Sequence, residues 1–378
     1  MNQVKILHCA DLHLGSELNN IPERASERRM EILGTFRRIT QICAAEKIDL
    51  LLIAGDLFEG ANHSRDITRS VQESLSKIPS RVFIAPGNHD YLALDSPYLE
   101  TGWPAQVTIF KTAYEKVELA DINVTIHGGA FESTFVETSL LKQMQPLEKD
   151  KINIGVFHGD LVGANQGSPY HPIREQDIAD SGLDYLALGH IHKRSPVKRA
   201  GNTAYAYPGA PDGRGFDETG LKGVYVGEIS RGRADMVFRP TSSRLYEIVE
   251  IDGSTIQSQT EAEVAIKEFL KNKYGEGWQN NFYRVRMIGT LEMNLSFLWP
   301  AIEAKLSEEL HYIRLIDETS LALNLEELAK ENSLMGSFVR RMLERQEATD
   351  NPQELVEIKK ALEYGLEAFR GEVRLRDY

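Results

Sequence analysis

The stretch Gly87-Asn88-His89-Asp90, set directly after the apolar run Arg81-Val-Phe-Ile-Ala-Pro86, decides how the rest of the chain is read. A short apolar run ending in Gly and Asn reads as a buried strand. At its end stand an amide that can hold a metal and an imidazole that can move a proton. That pair suits an exposed catalytic edge better than a core. Four other apolar runs end in the same manner. Val4–Ala10 delivers Asp11 and His13, Ile48–Ala54 delivers Gly55-Asp56, Lys151–Phe157 delivers His158, and Leu183–Leu188 delivers Gly189-His190-Ile191-His192. Residues two apart in an extended segment share a face, so Asp11 and His13 are expected to point the same way and grip one ion. His190 and His192 repeat that spacing.

Working outward, amphipathic helices separate these strands. Ile32, Leu33, Phe36, Ile39 and Cys43 mark one helix face, and Ile67, Val71, Leu75 and Ile78 mark another. Strand and helix alternate, so an α/β sheet is expected, and polar groups that do chemistry gather at the carboxyl ends of such strands. If these ends are neighbours, Asp11, His13, Asp56, Asn88, His158, His190 and His192 converge. Oxygen and nitrogen donors in that number exceed what one tetrahedral zinc takes. They suit two ions roughly 3.5–4 Å apart, bridged by a carboxylate and a hydroxide. Mixed carboxylate, amide and imidazole donors fit manganese, iron or zinc. Such a pair lowers the pKa of a bridging water and neutralises charge on a phosphate under in-line attack. His89, beside a ligand but not needed as one, is placed to protonate the leaving group. Taken singly, His158 also fits a satisfied core histidine and Gly55-Asp56 a turn. His8, His63, His127, His171 and His311 are read as structural.

Composition narrows the classes. The 378 residues are 42% apolar and 26% charged, with a net charge of -13. A chain of this length exceeds one ordinary core, and its acidity argues against coating nucleic acid by bulk charge. A local basic groove remains open, and Lys193, Arg194, Lys198 and Arg199 form a candidate DNA-backbone contact or a solvated loop. Cys9 and Cys43 are the only cysteines, which indicates neither a disulfide framework nor a thiolate zinc site. No run approaches the ~20 apolar residues of a membrane span, so a reducing cytoplasm is the expected location.

Domain boundaries follow from changes of pattern. Residues 1–240 form the candidate catalytic domain. Residues 241–322 read as a small β-α-β-α-β capping domain, and 323–378 as helices. Two apolar faces, Leu334 to Leu343 and Leu355 to Phe369, end the chain.

Asp-x-His, Gly-Asp, Gly-Asn-His-Asp, His-Gly-Asp and Gly-His-x-His, in this order, resemble the calcineurin-like metallophosphoesterases. Ala10-Asp-Leu-His-Leu-Gly15, Gly55-Asp-Leu-Phe58, Ala187-Leu-Gly-His-Ile-His192, Tyr207-Pro-Gly-Ala210 and the run from Gly213 to Val224 are similar to the SbcD/Mre-type DNA repair nucleases, most of all the YhaO-like branch. The resemblance implies a β-sandwich flanked by helices, followed by a cap and C-terminal helices. It implies one ion on Asp11, His13, Asp56 and His192, and another on Asp56, Asn88, His158 and His190, with His89 catalytic. It also implies manganese-dependent DNA endo- and exonuclease activity, homodimerisation, and a coiled-coil SMC/ABC-type ATPase partner docking on the C-terminal helices. One departure stands out. Many members have His after Gly-Asp-Leu-Phe, where it positions the substrate phosphate, whereas this chain has Glu59. A carboxylate there repels phosphate or needs a cation.

Two other functions compete with a nuclease. A phosphoesterase acting on a nucleotide, phospholipid or phosphoprotein would share the site but has no need of the cap. A scaffold that holds an ATPase on DNA has no use for so many convergent ligands.

Overall fold

A computed structural model describes residues 3–60, 64–144, 147–291, 297–321 and 325–369; His63 lies outside them. The chain divides into two compact units, Met1–Ile248 with Asn280–Tyr283, and Val249–Gln279 with Arg284–Tyr378.

The first unit is a sandwich of two six-stranded sheets. In one sheet, strands Val4–Cys9, Leu50–Ile53, Arg81–Ile84 and Val107–Ile109 run parallel in that order, and the hairpin Gly223–Ser230/Arg233–Pro240 continues it beyond the first strand. The helices Ala25–Ala45 and Arg65–Ser76 are the crossovers between the first three parallel strands. In the other sheet, Val124–Gly128, Ile152–His158, Tyr185–Gly189 and Thr203–Ala206 are parallel, with Glu115–Leu119 and Lys198–Ala200 as antiparallel edges. Alternate residues of the two sheets, including Ile6, Leu50, Leu52, Phe83, Ile126, Ile154, Val156, Tyr185 and Ala187, share one buried cluster. Residues of the other parity, such as Leu7, Leu51 and Ile53, are buried as well. Burial on both faces is why these strands read as continuous apolar runs rather than alternating ones. Cys9 and Cys43 are buried free thiols.

Register brings the strand ends level. Cys9 pairs with Ile53, Ile53 with Ile84, and His158 with Gly189. The polar residues after each strand therefore emerge along one edge. The two sheets also close on each other there. An added Cβ at Gly55, whose φ is +92°, would stand 2.1 Å from His158 Nδ1. Only glycine accepts both that backbone and that approach.

Residues 241–248 and 280–283 group with the sandwich because their polar atoms are spent on it. Thr241 Oγ1 donates to Pro211 O, Ser243 Oγ donates to Asp212, and Arg244 pairs with Glu31 at 2.6 Å. Tyr246 stacks on Phe282 at 4.4 Å.

In the second unit the chain runs β-α-β-α-β. Strands end at Asp252, Ile288 and Asp317, and the helices Gln259–Tyr274 and Trp299–Leu306 intervene. Ser258 caps the first of these helices by accepting from Glu261 N. Helices Leu325–Lys330, Leu334–Glu347 and Pro352–Phe369 follow. The two apolar faces read near the chain end pack on each other: Leu328, Val339, Met342, Ile358, Leu362 and Leu366 form one cluster. Leu334 and Val356 remain exposed. No helix among the described residues is long and apolar enough to cross a membrane.

Candidate metal centre

Each strand end hands its polar residues to one cluster, and all seven candidate ligands meet there. The expectation that Asp11 and His13 act through an extended segment is corrected, because the strand stops at Cys9 and both residues are left-handed. Their φ values are 55° and 46°, and Asp56 and His190 also have positive φ, at 50° and 108°. Left-handed backbone at non-glycine residues costs roughly 1–3 kcal/mol each and persists where surrounding contacts impose it. Here the contacts are visible. Asp11 N donates to Gly55 O, His13 N to Asp56 O, and His190 N to Asp11 Oδ1. The kinked backbone, not strand pleat, turns the side chains inward.

Two groups of donors form around one carboxylate. His13 Nε2 and His192 Nε2 face each other at 3.1 Å beside Asp11. On the other side, His158 Nε2 lies 2.9 Å from Asn88 Oδ1, and His190 Nδ1 lies 3.2 Å from the same oxygen. Asp56 Oδ2 is 3.6 Å from His13 Nε2 and 3.2 Å from His158 Nε2. His190 and His192 thus serve different groups despite their i, i+2 spacing.

Two Nδ1 contacts suit metal ligation through Nε2. His192 Nδ1 sits 2.8 Å from Glu218 Oε1, and His158 Nδ1 sits 2.9 Å from Ala54 O. Donating one ring N–H to an acceptor leaves the other nitrogen's lone pair for a metal, the usual arrangement of histidine ligands. His13 Nδ1 is 2.8 Å from Glu59 Oε2, though at a poor angle for a hydrogen bond. Asp11 Oδ2 is buried without a hydrogen-bond partner. Buried carboxylate oxygens are costly to leave unpaired, and a cation answers that cost.

Electrostatics agree. Burial opposes the charge on Asp56, yet His158, His13 and His89 hold its carboxyl below the usual range. Burial also opposes charge on His158, but Asp56 and Asp11 push it up to about 9. Burial and neighbouring His158 lower His190 to about 3, which keeps it neutral. Burial raises the Asp11 carboxyl and lowers His13, so the favourable electrostatics centre on Asp56 and His158.

His89 is exposed at the rim. Its backbone N–H donates to Asp56 Oδ1, and its Nδ1 lies 2.9 Å from Glu59 Oε1. The Glu59 hydrogen bond raises its pKa, against burial. Asp90 holds the turn that presents it, accepting from Gly87 N at 2.7 Å, Phe58 N at 3.1 Å and the Tyr98 hydroxyl. Burial and Asp56 raise its carboxyl to about 6.

Several supporting residues were not singled out in the sequence. Glu218 is 4% exposed and holds His192; Arg214 pairs with both Glu218 and Glu59. His171, read as structural, lies with Nδ1 2.6 Å from His158 O and so braces the backbone of a candidate ligand. Glu218 and Arg214 fall inside the Gly213–Val224 run that carries the family likeness, which was their one signal. His8 and His127 are structural: His8 bridges Tyr185 OH and Leu188 O, and His127 bridges Tyr114 OH and Asn153 Oδ1. Of the basic run, Arg194 stacks over Phe238 at 4.0 Å and Arg199 donates to Asn202 O and Gly232 O. Lys193 and Lys198 are exposed.

The calcineurin-like phosphoesterase profile matches residues 4–194. The chain is similar to the metallophosphoesterase YhaO of Bacillus subtilis, with 30% identity over 271 residues, covering 69% of this chain and 66% of that protein. It is 24% identical to the DNA double-strand break repair protein Mre11 of Methanopyrus kandleri over 294 residues, 71% of this chain and 64% of the relative. It is 28% identical to a subunit of the SbcCD nuclease of Bacillus subtilis over 268 residues, 61% of this chain and 67% of that protein. The matched part spans about two thirds of the length of each relative.

Proposed function

We propose that this chain, which belongs to the calcineurin-like phosphoesterase family, is a manganese-dependent DNA phosphodiesterase, an endo- and exonuclease component of a repair complex. The family implies a metal-dependent phosphoester hydrolase with a dinuclear centre. The observation that carries the reading is Asp56 Oδ2, which lies between an imidazole of each donor group. One carboxylate shared by two groups is what a bridged pair of ions requires. Asp11, His13, Asp56 and His192 would hold one ion, and Asp56, Asn88, His158 and His190 the other. Bound there, the ions would supply a hydroxide nucleophile and charge neutralisation at the phosphate.

The chain's own residues do the rest. His192 and His158 have Nδ1 against Glu218 Oε1 and Ala54 O, which leaves each Nε2 toward the metal sites. His89, exposed on the rim, gives its Nε2 proton to the leaving oxygen. DNA as substrate is supported by the likeness to the Mre11 and SbcCD relatives named above. Homodimerisation through the catalytic domain and docking of a coiled-coil SMC/ABC-type ATPase on the C-terminal helices belong to the same reading. The helix pair spends most of its apolar faces internally, so docking would use exposed positions such as Leu334 and Val356.

The test is cleavage of single-stranded, double-stranded and hairpin-ended DNA with added manganese, run beside bis-p-nitrophenyl phosphate. DNA cleavage lost on chelation and in Asp56→Ala supports a nuclease. Turnover of the small diester, with DNA intact even when the ATPase is added, would move the function to another phosphodiester.

A further inference from the structure

Residues 241–243 join the hairpin that ends at Pro240 to the strand that ends at Asp252, and two routes tie them to His192. The first route ends on its backbone. Thr241 N and Ser242 N donate to Lys222 O at 3.0 and 3.2 Å, and Lys222 Nζ donates to His192 O at 3.2 Å. Lys222 is buried, so its ammonium is held at that carbonyl rather than free in solvent. The second route ends on the ring. Ser243 N and Oγ donate to Asp212 Oδ2 at 3.2 and 2.9 Å, and Ser243 Oγ accepts from Arg28 Nη1 at 2.7 Å. Arg28, fully buried, also pairs with Asp212 and donates to Gly213 O at 2.7 Å. The next residue is Arg214, whose N–H and guanidinium hold Glu218 against His192 Nδ1.

His192 needs such support because it lies beyond Gly189, the last residue of its strand, where no sheet ladder holds it. The other donor group is held from elsewhere. His158 ends its strand with Nδ1 against Ala54 O, and His190 N donates to Asp11 Oδ1. A buried ion pair such as Arg28–Asp212 adds little net stability, because desolvation offsets its attraction. What it fixes is geometry. Asp212 accepts from Thr35 Oγ1 at 2.6 Å as well as from Ser243, so helix Ala25–Ala45, the 212–214 turn and the 241–243 segment meet at one carboxylate.

We propose that the 241–243 segment positions His192 for its ion, through Lys222 on the carbonyl and through Asp212 and Arg28 on the loop that carries Glu218. The inference rests on the dinuclear reading above and adds positioning residues outside the candidate ligand set. The domain boundary read at residue 240 therefore cuts through the support of a ligand.

Manganese binding to the full chain tests it, with the His192 step identified as the one lost in His192→Gln. Ser243→Ala removes the hydroxyl that bridges Arg28 and Asp212. It should weaken the His192 step about fivefold, below the roughly 10–100-fold of a direct partner, and leave the other step within about twofold. Combined with Glu218→Ala, its effect should fall short of additive, since both act on one ring. Lys222→Met separates positioning from charge by the sign of the change. The charges of Glu218 and Asp11 reach Lys222, so removing its ammonium would by itself tighten manganese binding. Loss of the carbonyl's anchor acts the other way, and the His192 step should weaken about fivefold. Lys222→Arg keeps a cationic donor and should recover part of that loss. General damage to the fold, followed by urea unfolding, would lower both steps together. Equal shifts at both steps, or tighter binding in Lys222→Met, would overturn the proposal while leaving the dinuclear reading intact. A parent chain that binds fewer than two manganese ions would overturn both.

Discussion

Replacing Glu218 with alanine should weaken one ion and spare the other. Glu218 is 4% exposed, and its Oε1 lies 2.8 Å from His192 Nδ1. The opposite oxygen accepts from Arg214 N at 2.9 Å, so the carboxylate cannot drift from the ring. Burial would disfavour its charge, but His192 and Arg214 hold its pKa below the ordinary glutamate range, so it is ionised at neutral pH. Without it, Nδ1–H loses its acceptor, and the proton can move to Nε2. That nitrogen is the one 3.1 Å from His13 Nε2, and a proton there removes the lone pair that would bind metal. Partners of this kind are worth about 10–100-fold in metal affinity, or about 1.4–2.7 kcal/mol. Manganese binding to the full chain, followed by electron paramagnetic resonance of free Mn2+, should resolve two steps in the parent. Glu218→Ala should shift one step by that amount. The other, on Asn88, His158 and His190, should move less than about twofold. Equal shifts in both steps, or none, would refute the orienting argument.

Other perturbations test other links. Gly55→Ala would place a methyl 2.1 Å from His158 Nδ1 on a φ of +92°. The left-handed backbone alone costs about 1–2 kcal/mol, so urea unfolding should show at least that loss together with a lost manganese equivalent. Manganese at about 100 times its Kd should stabilise the chain by about 2.7 kcal/mol per site, reversed by chelator in a thermal melt. His8 is fully buried, which lowers its pKa to about 3 against the help of the Leu188 carbonyl. A depressed histidine binds its proton more weakly folded than unfolded. Its contribution is complete above the unfolded pKa of about 6.5 and shrinks as pH falls toward about 3. Stability at pH 5 should therefore be lower than at pH 7 by about 2 kcal/mol from this residue. In His8→Gln that part of the slope should vanish, as read by urea unfolding at the two pH values.

The sandwich was legible because its central strands are buried on both faces, which writes runs such as Leu50–Ile53 and Val82–Ile84 as unbroken apolar stretches. Helix faces were legible for the same reason: Ile32, Leu33, Phe36, Ile39 and Cys43 are all buried. The convergence of the candidate ligands was legible because they stand at or just past strand ends, and the strands of each sheet are in register at that edge. Their backbone was not. Nothing in Asp11-Leu12-His13 announces two left-handed residues, since the hydrogen bonds that impose them come from Gly55 and Asp56, far along the chain. Beyond the family likeness of their run, Arg214 and Glu218 carried no signal, for a related reason. They sit in an irregular segment without periodicity, and only the fold brings them to His192 and Glu59. The terminal helices show the limit of reading a face alone. An apolar stripe says that something covers it, and here much of the covering is the neighbouring helix.

The proposed function turns on Asp56 being shared by two ions that this chain would hold for phosphodiester hydrolysis. The measurement that bears on it most directly is the rate of bis-p-nitrophenyl phosphate hydrolysis against manganese bound per chain. A shared Asp56 predicts little turnover with one ion, a rise as the second binds, and a plateau at two, with Asp56→Asn unable to reach it. Activity that saturates at one bound ion, or a chain that holds two and remains inert, would contradict it.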